Sequence, residues 1–204
     1  ALNHREPDRV PLDLGASVVT GIHVSSVYKL RQALKLDEPG TPVTVTDPYQ
    51  MLGEVAMDLI DALGVDVVPV PAAKTLFGYK NEGWKPWTLP DGTPVLVPEA
   101  FNTVPEANGA VLMYPQGDRS AGPSGRLPAG GFYFDEIIRQ PPLEEAKLDP
   151  ADNTEDFAPI SEEDLAYFKT TTESLYNSTD KAVFAGFCFT SFGDIALVPA
   201  PWLK

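Results

Sequence analysis

Residues 46–70 carry the clearest pattern of apolar and polar positions, and this pattern predicts a helix that leads directly into a buried strand. The apolar stripe of the helix comprises Leu52, Val55, Leu59 and Leu63. Asp47 is suited to cap this helix, Pro48 to occupy its first position and Gly64 to end it. Residues 65–70 are almost wholly apolar, which is typical of a strand covered on both faces. A helix followed by a buried strand favours an α/β fold with parallel strands.

The segments on either side repeat this alternation of strand and helix. Residues 10–15 and 43–45 predict short strands, and residues 23–34 predict a helix between them. Near the end of the sequence, a capping-box spacing predicts a helix from about residue 160. Its expected buried face comprises Leu165, Phe168, Thr172 and Leu175. Residues 181–190 are apolar and aromatic enough for an interior strand.

Residues 75–159 have a different character, because turn signals replace the helical periodicity. Residues 90–93, PDGT, and the pair Asn108-Gly109 each lie between apolar runs, so two β-hairpins are predicted. Residues 117–131 are interpreted as a glycine-rich loop. This part of the chain is therefore interpreted as an inserted β-hairpin layer.

Two architectures fit this order of elements, a doubly wound sheet and a (β/α)8 barrel of the TIM type. The first strand is followed by neither a GxGxxG fingerprint nor a phosphate-binding loop, so the barrel is preferred. Because eight units typically need about 250 residues, we expect only the amino-terminal part of a barrel, within a fragment of a longer protein. The single domain would comprise first βα units in residues 1–74, the hairpin insertion in residues 75–159 and a further αβ unit in residues 160–204.

Charge and cysteine content exclude several classes of function. The chain has 15 basic and 29 acidic residues, and its net charge of −14 repels nucleic-acid backbones and anionic membrane surfaces. The one cysteine, Cys188, cannot form an internal disulfide, and no apolar run approaches the roughly 20 residues that span a bilayer. A cytoplasmic location is therefore expected.

Candidate catalytic residues are sought where strands end, since barrel enzymes place their sites at the carboxyl ends of strands. His23 follows the first predicted strand and could transfer protons or simply open the next helix. Asp194 follows the last strand and could act as acid or base, or cap a helix. One cysteine and two histidines at unrelated spacings give no metal site within this chain.

Further polar and aromatic residues are candidates for substrate binding. Arg119 and Arg126 could grip an anion or belong to a solvated loop. Trp84 and Trp87 could form an apolar wall over a ligand or cover the end of the barrel. The hydroxyl groups expected at strand ends are those of Ser17, Thr20, Thr190 and Ser191.

Four stretches of the sequence resemble the amino-terminal half of the uroporphyrinogen decarboxylase superfamily. They are ALNHREPDRVPLDLG, TGIHVSSVYKLRQAL, DPYQMLGEVAMDLIDALGVDVV and FGDIALVP. The closest similarity is to the methyltransferase-like branch linked to corrinoid-dependent demethylation. The resemblance implies a barrel whose pocket lies at the strand ends, and methyl transfer between a small substrate and a corrinoid. It also implies a corrinoid protein as partner, and zinc ligands in a carboxyl-terminal half outside these 204 residues.

Two departures from the decarboxylase pattern favour the methyltransferase branch. No arginine lies between Arg9 and Arg31, where decarboxylases of the family carry an arginine that grips the substrate carboxylates. Residues 71–73, Pro-Ala-Ala, stand where the resemblance places a catalytic aspartate. Decarboxylation of a porphyrinogen and a non-catalytic binding module remain the alternatives.

Overall fold

A computed structural model describes residues 4–139, 142, 144–147, 149, 160–186, 201 and 204. The α-helices are α1 (Val24–Ala33), α2 (Met57–Leu63) and α3 (Glu162–Ser178), and short 3-10 helices lie at Pro115–Gly117 and Glu145–Lys147. The strands are β1 (Val43–Asp47), β2 (Leu52–Gly53), β3 (Val67–Pro69), β4 (Lys85–Thr88), β5 (Pro94–Val97), β6 (Thr103–Pro105), β7 (Val111–Met113), β8 (Gly125–Leu127), β9 (Asp135–Glu136) and β10 (Ala182–Phe184).

One mixed sheet contains four strands in the order β2-β1-β5-β4. Strands β1 and β5 are parallel, with Val43 opposite Val95, whereas β4 and β5 are antiparallel neighbours. The turn between β4 and β5 is the predicted PDGT turn, in which the Asp91 carboxylate accepts a hydrogen bond from the Thr93 backbone N–H at 3.0 Å. The first hairpin prediction is confirmed.

A second sheet of four strands is wholly antiparallel, in the order β6-β7-β8-β9. Strands β6 and β7 meet at the Asn108-Gly109 turn, where the Asn108 side-chain oxygen accepts a hydrogen bond from the Ala110 N–H at 3.0 Å. The second hairpin prediction is therefore confirmed. The interpretation of residues 117–131 as one loop is wrong, because β8 lies within them and pairs with both β7 and β9.

A parallel pair of strands, β3 and β10, forms a smaller third sheet. Helix α3 precedes β10 and begins as predicted at Ser161, whose hydroxyl accepts the Asp164 N–H at 3.1 Å. The predicted inward face of α3 is confirmed only in part, since Phe168, Thr172 and Leu175 are half-buried, Leu165 is exposed, and the helix contributes no fully buried residue within the described part of the chain. Three polar contacts tie α3 to the preceding residues: the ion pairs Lys74–Asp164 at 3.8 Å and Lys80–Glu163 at 3.2 Å, and a hydrogen bond of 3.0 Å from the Tyr167 hydroxyl to the Pro71 carbonyl.

The prediction of a (β/α)8 barrel is wrong. The described residues contain three α-helices and ten strands in mixed and antiparallel sheets, so the fold is mostly β. A barrel of that type needs a continuous ring of parallel strands. Among the described strands, parallel pairing joins only β1 to β5 and β3 to β10. A doubly wound fold needs one mostly parallel sheet, so this alternative is wrong as well.

The predicted helix over residues 46–63 is the main local error. The side chain of Asp47 accepts the backbone N–H of Tyr49 at 2.8 Å, which makes a turn instead of a helix cap. Met51 has a positive φ of 52°, and the chain then returns as β2 to pair with β1. Only Met57–Leu63 is helical, and it ends as predicted at Gly64, which has a φ of 67°.

The other short predictions near the start of the chain have mixed outcomes. Helix α1 and strand β1 confirm the helix predicted at residues 23–34 and the strand predicted at residues 43–45. Residues 10–15 form no strand, although Leu12 exchanges hydrogen bonds with Asp66 beside β3. Residues 187–190 of the last predicted strand lie outside the described residues.

Arg31 of α1 binds two carboxylates, that of Asp37 in the segment after α1 and that of Asp58 in α2. Its guanidinium group donates to Asp37 at 2.6 and 2.8 Å and to Asp58 at 2.8 Å through two nitrogens. These hydrogen bonds lower the pKa of both aspartates. The arrangement fixes α1 and α2 relative to one another.

The core joins the two four-stranded sheets around the ring of Phe77. This fully buried ring lies near Tyr49, Tyr79 and Phe134, with centroid distances of 6.1, 6.4 and 5.8 Å. Gly125 of β8 faces the ring so closely that an added Cβ would lie 2.7 Å from the Phe77 ring. Residue 125 must therefore be glycine.

Replacing Gly125 with alanine should destabilise the protein by about 1–3 kcal/mol, because the new methyl group would overlap a buried ring that its neighbours hold in place. Chemical denaturation gives the free energy of unfolding. Gly122→Ala is the matched control, since a Cβ at residue 122 meets nothing within 4 Å. Equal stabilities for the two variants would contradict this account of the core.

Candidate functional site

His23 lies at the N-terminus of α1 and contacts a turn that is distant in sequence. Its Nε2 is 2.8 Å from the Phe132 carbonyl oxygen, which can only accept a hydrogen bond, so Nε2 carries the proton. Nδ1 consequently accepts hydrogen bonds from the Ser25 N–H at 3.2 Å and from the Ser25 hydroxyl at 2.8 Å. His23 therefore caps α1 and holds the Phe132 turn at the same time.

Two adjoining cavities share His23 and Phe132. The first, of about 200 Å³, is called the hairpin cavity and is also lined by Leu89, Pro90, Asp91, Leu127, Gly130 and Gly131. The second, of about 300 Å³, is called the tyrosine cavity and is also lined by Tyr49, Gln50, Leu52 and Tyr133. The His23 and Phe132 rings meet edge to face, with centroids 5.5 Å apart.

Burial and nearby charges set the protonation states at the hairpin cavity. Burial lowers the pKa of His23, outweighing the opposing effects of the Phe132 carbonyl and of Asp91, while Lys29 lowers it slightly further. Burial alone would raise the pKa of Asp91, but hydrogen bonds from Thr93 reverse this and lower it. At neutral pH the cavity presents a neutral imidazole and an ionised carboxylate.

The tyrosine cavity has a different electrostatic character. Burial raises the pKa of the Tyr49 hydroxyl, and the carboxylates of Glu136, Asp135 and Asp47 raise it further. Among the described residues, no lysine or arginine lines either cavity. The surroundings of the tyrosine cavity are thus aromatic and negatively charged.

The predicted hydroxyl and tryptophan residues are not brought to these cavities. Ser17 and Thr20 lie 3.2 Å apart, oxygen to oxygen, in a turn of their own. Trp87 packs in the core against Phe101, with centroids 5.1 Å apart, and Trp84 is an exposed residue just before β4. Asp194, Thr190 and Ser191 lie outside the described residues.

The predicted arginines are also engaged elsewhere. Arg126 is ion-paired with Glu106 at 2.7 Å, and it lies on the opposite face of β8 from the cavity residue Leu127. Arg119 donates a hydrogen bond to the Thr103 carbonyl. The structure therefore does not bring these arginines together with His23.

Sequence reasoning singled out His23 but missed the aromatic residues around it. Tyr49, Phe132 and Tyr133 come from two distant segments, and the Phe134 N–H donates to the Tyr49 carbonyl at 2.9 Å to hold these segments together. One signal was present in the sequence, because residues 130–134 read Gly-Gly-Phe-Tyr-Phe, which places large rings directly after a flexible turn.

Comparison of the chain with protein-family models, curated proteins and solved structures gives no match. The described residues contain no group of three or more histidine, cysteine or acidic side chains able to hold a metal ion. The helices of the described segments are all too short or too polar to cross a membrane.

Replacing His23 with alanine should cost about 1–2 kcal/mol of stability, because α1 loses its cap and the Phe132 turn loses its donor. His23→Asn should cost less, because asparagine is also a good N-cap residue. The free energy of unfolding from denaturant titrations measures both effects. If His23→Ala were as stable as the wild type, the capping role would be rejected.

The same residue should make stability depend on pH. Since the folded-state pKa of His23 lies below the ordinary value of 6.5, the unfolded chain binds more protons in that region. The contribution of His23 to the free energy of unfolding is therefore complete above about pH 6.5 and decreases as the pH falls towards the folded-state pKa. Denaturation at about pH 5.5 and pH 7.5 should show a smaller pH effect in His23→Asn than in the wild type. His4→Asn, at the exposed second histidine, should behave like the wild type.

Proposed function

We propose that this chain is part of an enzyme related to the methyltransferase-like branch of the uroporphyrinogen decarboxylase superfamily, and that it transfers a methyl group between a small substrate and a corrinoid. One observation carries the proposal. Two of the stretches that resemble the family, around His23 and around Tyr49-Gln50, are distant in sequence yet meet at the tyrosine cavity. The mostly β fold differs from the barrel that the resemblance implies, so the proposal depends on these stretches and on their convergence.

The charges around the cavities favour methyl transfer over decarboxylation of a porphyrinogen. A substrate rich in carboxylates needs cationic side chains, which bind such groups through charge-assisted hydrogen bonds. The described residues that line the two cavities include no lysine or arginine, and they include the carboxylate of Asp91. A polyanionic substrate would therefore be repelled here.

The described residues that line the two cavities would bind and orient a substrate, and by themselves they do not form a complete catalytic centre. Both nitrogens of His23 are occupied by hydrogen bonds, so the imidazole acts as a fixed wall between the cavities. The described residues do not fit the zinc ion that the resemblance implies, since they supply no cluster of metal ligands. No chemical step is assigned to zinc held by this part of the chain.

A non-catalytic binding module is the second candidate function. It is favoured by the same engagement of His23, which leaves the tyrosine cavity without a free imidazole among its described lining residues. Such a module would bind the same ligands as the enzyme but would not transform them.

An assay of the full-length protein with reduced cobalamin and methylated donors tests the proposal. We expect spectroscopic conversion of cob(I)alamin to methylcobalamin, and no release of carbon dioxide from uroporphyrinogen. Tyr133→Ala should lower kcat/KM about tenfold, because it removes a wall of the tyrosine cavity. Tyr176→Ala, at an exposed tyrosine on α3, is the matched control and should leave kcat/KM unchanged.

Two other outcomes of this assay would favour the alternative functions. Release of carbon dioxide without methyl transfer would replace the proposal with porphyrinogen decarboxylation. Saturable binding of the donor with neither reaction would favour the binding module.

A further inference from the structure

We propose that the tyrosine cavity binds a small organic cation with apolar substituents, such as a substituted ammonium group. The inference extends the proposed function, because it names the substrate class of the same site. It can be tested by binding alone, without turnover.

The walls of the tyrosine cavity are suited to a cation because they are aromatic. Tyr49, Phe132 and Tyr133 line it together with the neutral imidazole of His23. The face of an aromatic ring carries negative potential, which attracts ammonium groups. Alkyl substituents on the nitrogen would also gain from contact with these apolar surfaces.

Two of these rings are exposed to a degree that a ligand would explain. Phe132 and Tyr133 are 61% and 57% exposed, although they are large and adjacent. Their neighbour Phe134 is fully buried, so the chain turns these two rings outward while it anchors the third in the core. Neighbouring exposed rings at a cavity offer the kind of apolar surface that a ligand can cover.

The charge around the cavity selects a cation over an anion. Asp135 and Glu136 follow Tyr133 directly in sequence, and together with Asp47 they act electrostatically on the Tyr49 hydroxyl. Asp135 and Glu136 are exposed, so they draw cations towards the cavity entrance. Lys29 acts electrostatically on His23 and Asp91, but it does not line the tyrosine cavity.

The tyrosine cavity has room for a small molecule. Its volume of about 300 Å³ lies at the lower end of the range for small-molecule sites. A quaternary ammonium group with one short polar arm would fit this description, and the arm could reach the amide of Gln50. Choline is therefore the chosen probe.

Isothermal titration calorimetry with choline and with 3,3-dimethylbutan-1-ol tests the inference. The two molecules have nearly the same shape, but the second replaces the charged nitrogen with carbon. We expect choline to bind at least about fivefold more tightly at constant ionic strength. Equal affinities, or no binding of choline, would overturn the inference.

Two pairs of variants separate the aromatic contribution from the charge contribution. Phe132→Leu should weaken choline binding about fivefold, whereas Tyr176→Leu, which removes an exposed ring on α3, should not. The double change Asp135→Asn and Glu136→Gln should also weaken binding, whereas Glu173→Gln on α3 should not. Circular dichroism checks that each variant is folded. Full retention of choline affinity in both Phe132→Leu and the double variant would overturn the inference.

The inference and the proposed function can fail separately. Selective choline binding without methyl transfer would leave the cation site standing and overturn the proposed function. Methyl transfer without a preference for choline over its neutral analogue would overturn the cation site alone.

Discussion

The close packing of the Phe77 ring on the backbone of Gly125 is the constraint on which the rest of the structure depends. A side chain at residue 125 would push β8 away from the ring, and Phe77 also packs with Tyr49, Tyr79 and Phe134. These contacts join the mixed sheet to the antiparallel sheet. This one cluster fixes both sides of the candidate site, since Tyr49 lies between β1 and β2 of the mixed sheet and Phe134 directly precedes β9 of the antiparallel sheet.

The candidate site combines a rigid base with an accessible rim. Phe134 is buried in the core and its N–H is bonded to the Tyr49 carbonyl, whereas Phe132 and Tyr133 are exposed only one and two residues earlier. His23 holds the Phe132 carbonyl from the opposite side. The rim rings are therefore carried on a backbone that is anchored at two points, which is the kind of preorganised wall that reduces the entropic cost of binding.

Local features of the fold could be predicted from the sequence, whereas long-range contacts could not. Helix α1, the stop at Gly64 and the two hairpin turns follow from capping, glycine and turn chemistry within a few residues. The apolar spacing of residues 46–56 fits a helix, and it fits a strand, a turn and a second strand equally well. The pairing of β2 with β1 decides between the two. The barrel prediction extended that error to the whole chain. His23 was found as a candidate, but its aromatic neighbours depend on contacts across 109 residues, which no local pattern reveals.

The way in which α3 is attached gives the protein more than one level of stability. Two ion pairs, one hydroxyl hydrogen bond and a half-buried face that includes Phe168 and Leu175 attach this helix, and none of its described side chains is fully buried. Exposed pairs of this kind contribute about 0–1 kcal/mol each and weaken in salt. Because α3 has no fully buried side chain among the described residues, its amide protons are expected to exchange with solvent through local opening more readily than those of the two four-stranded sheets.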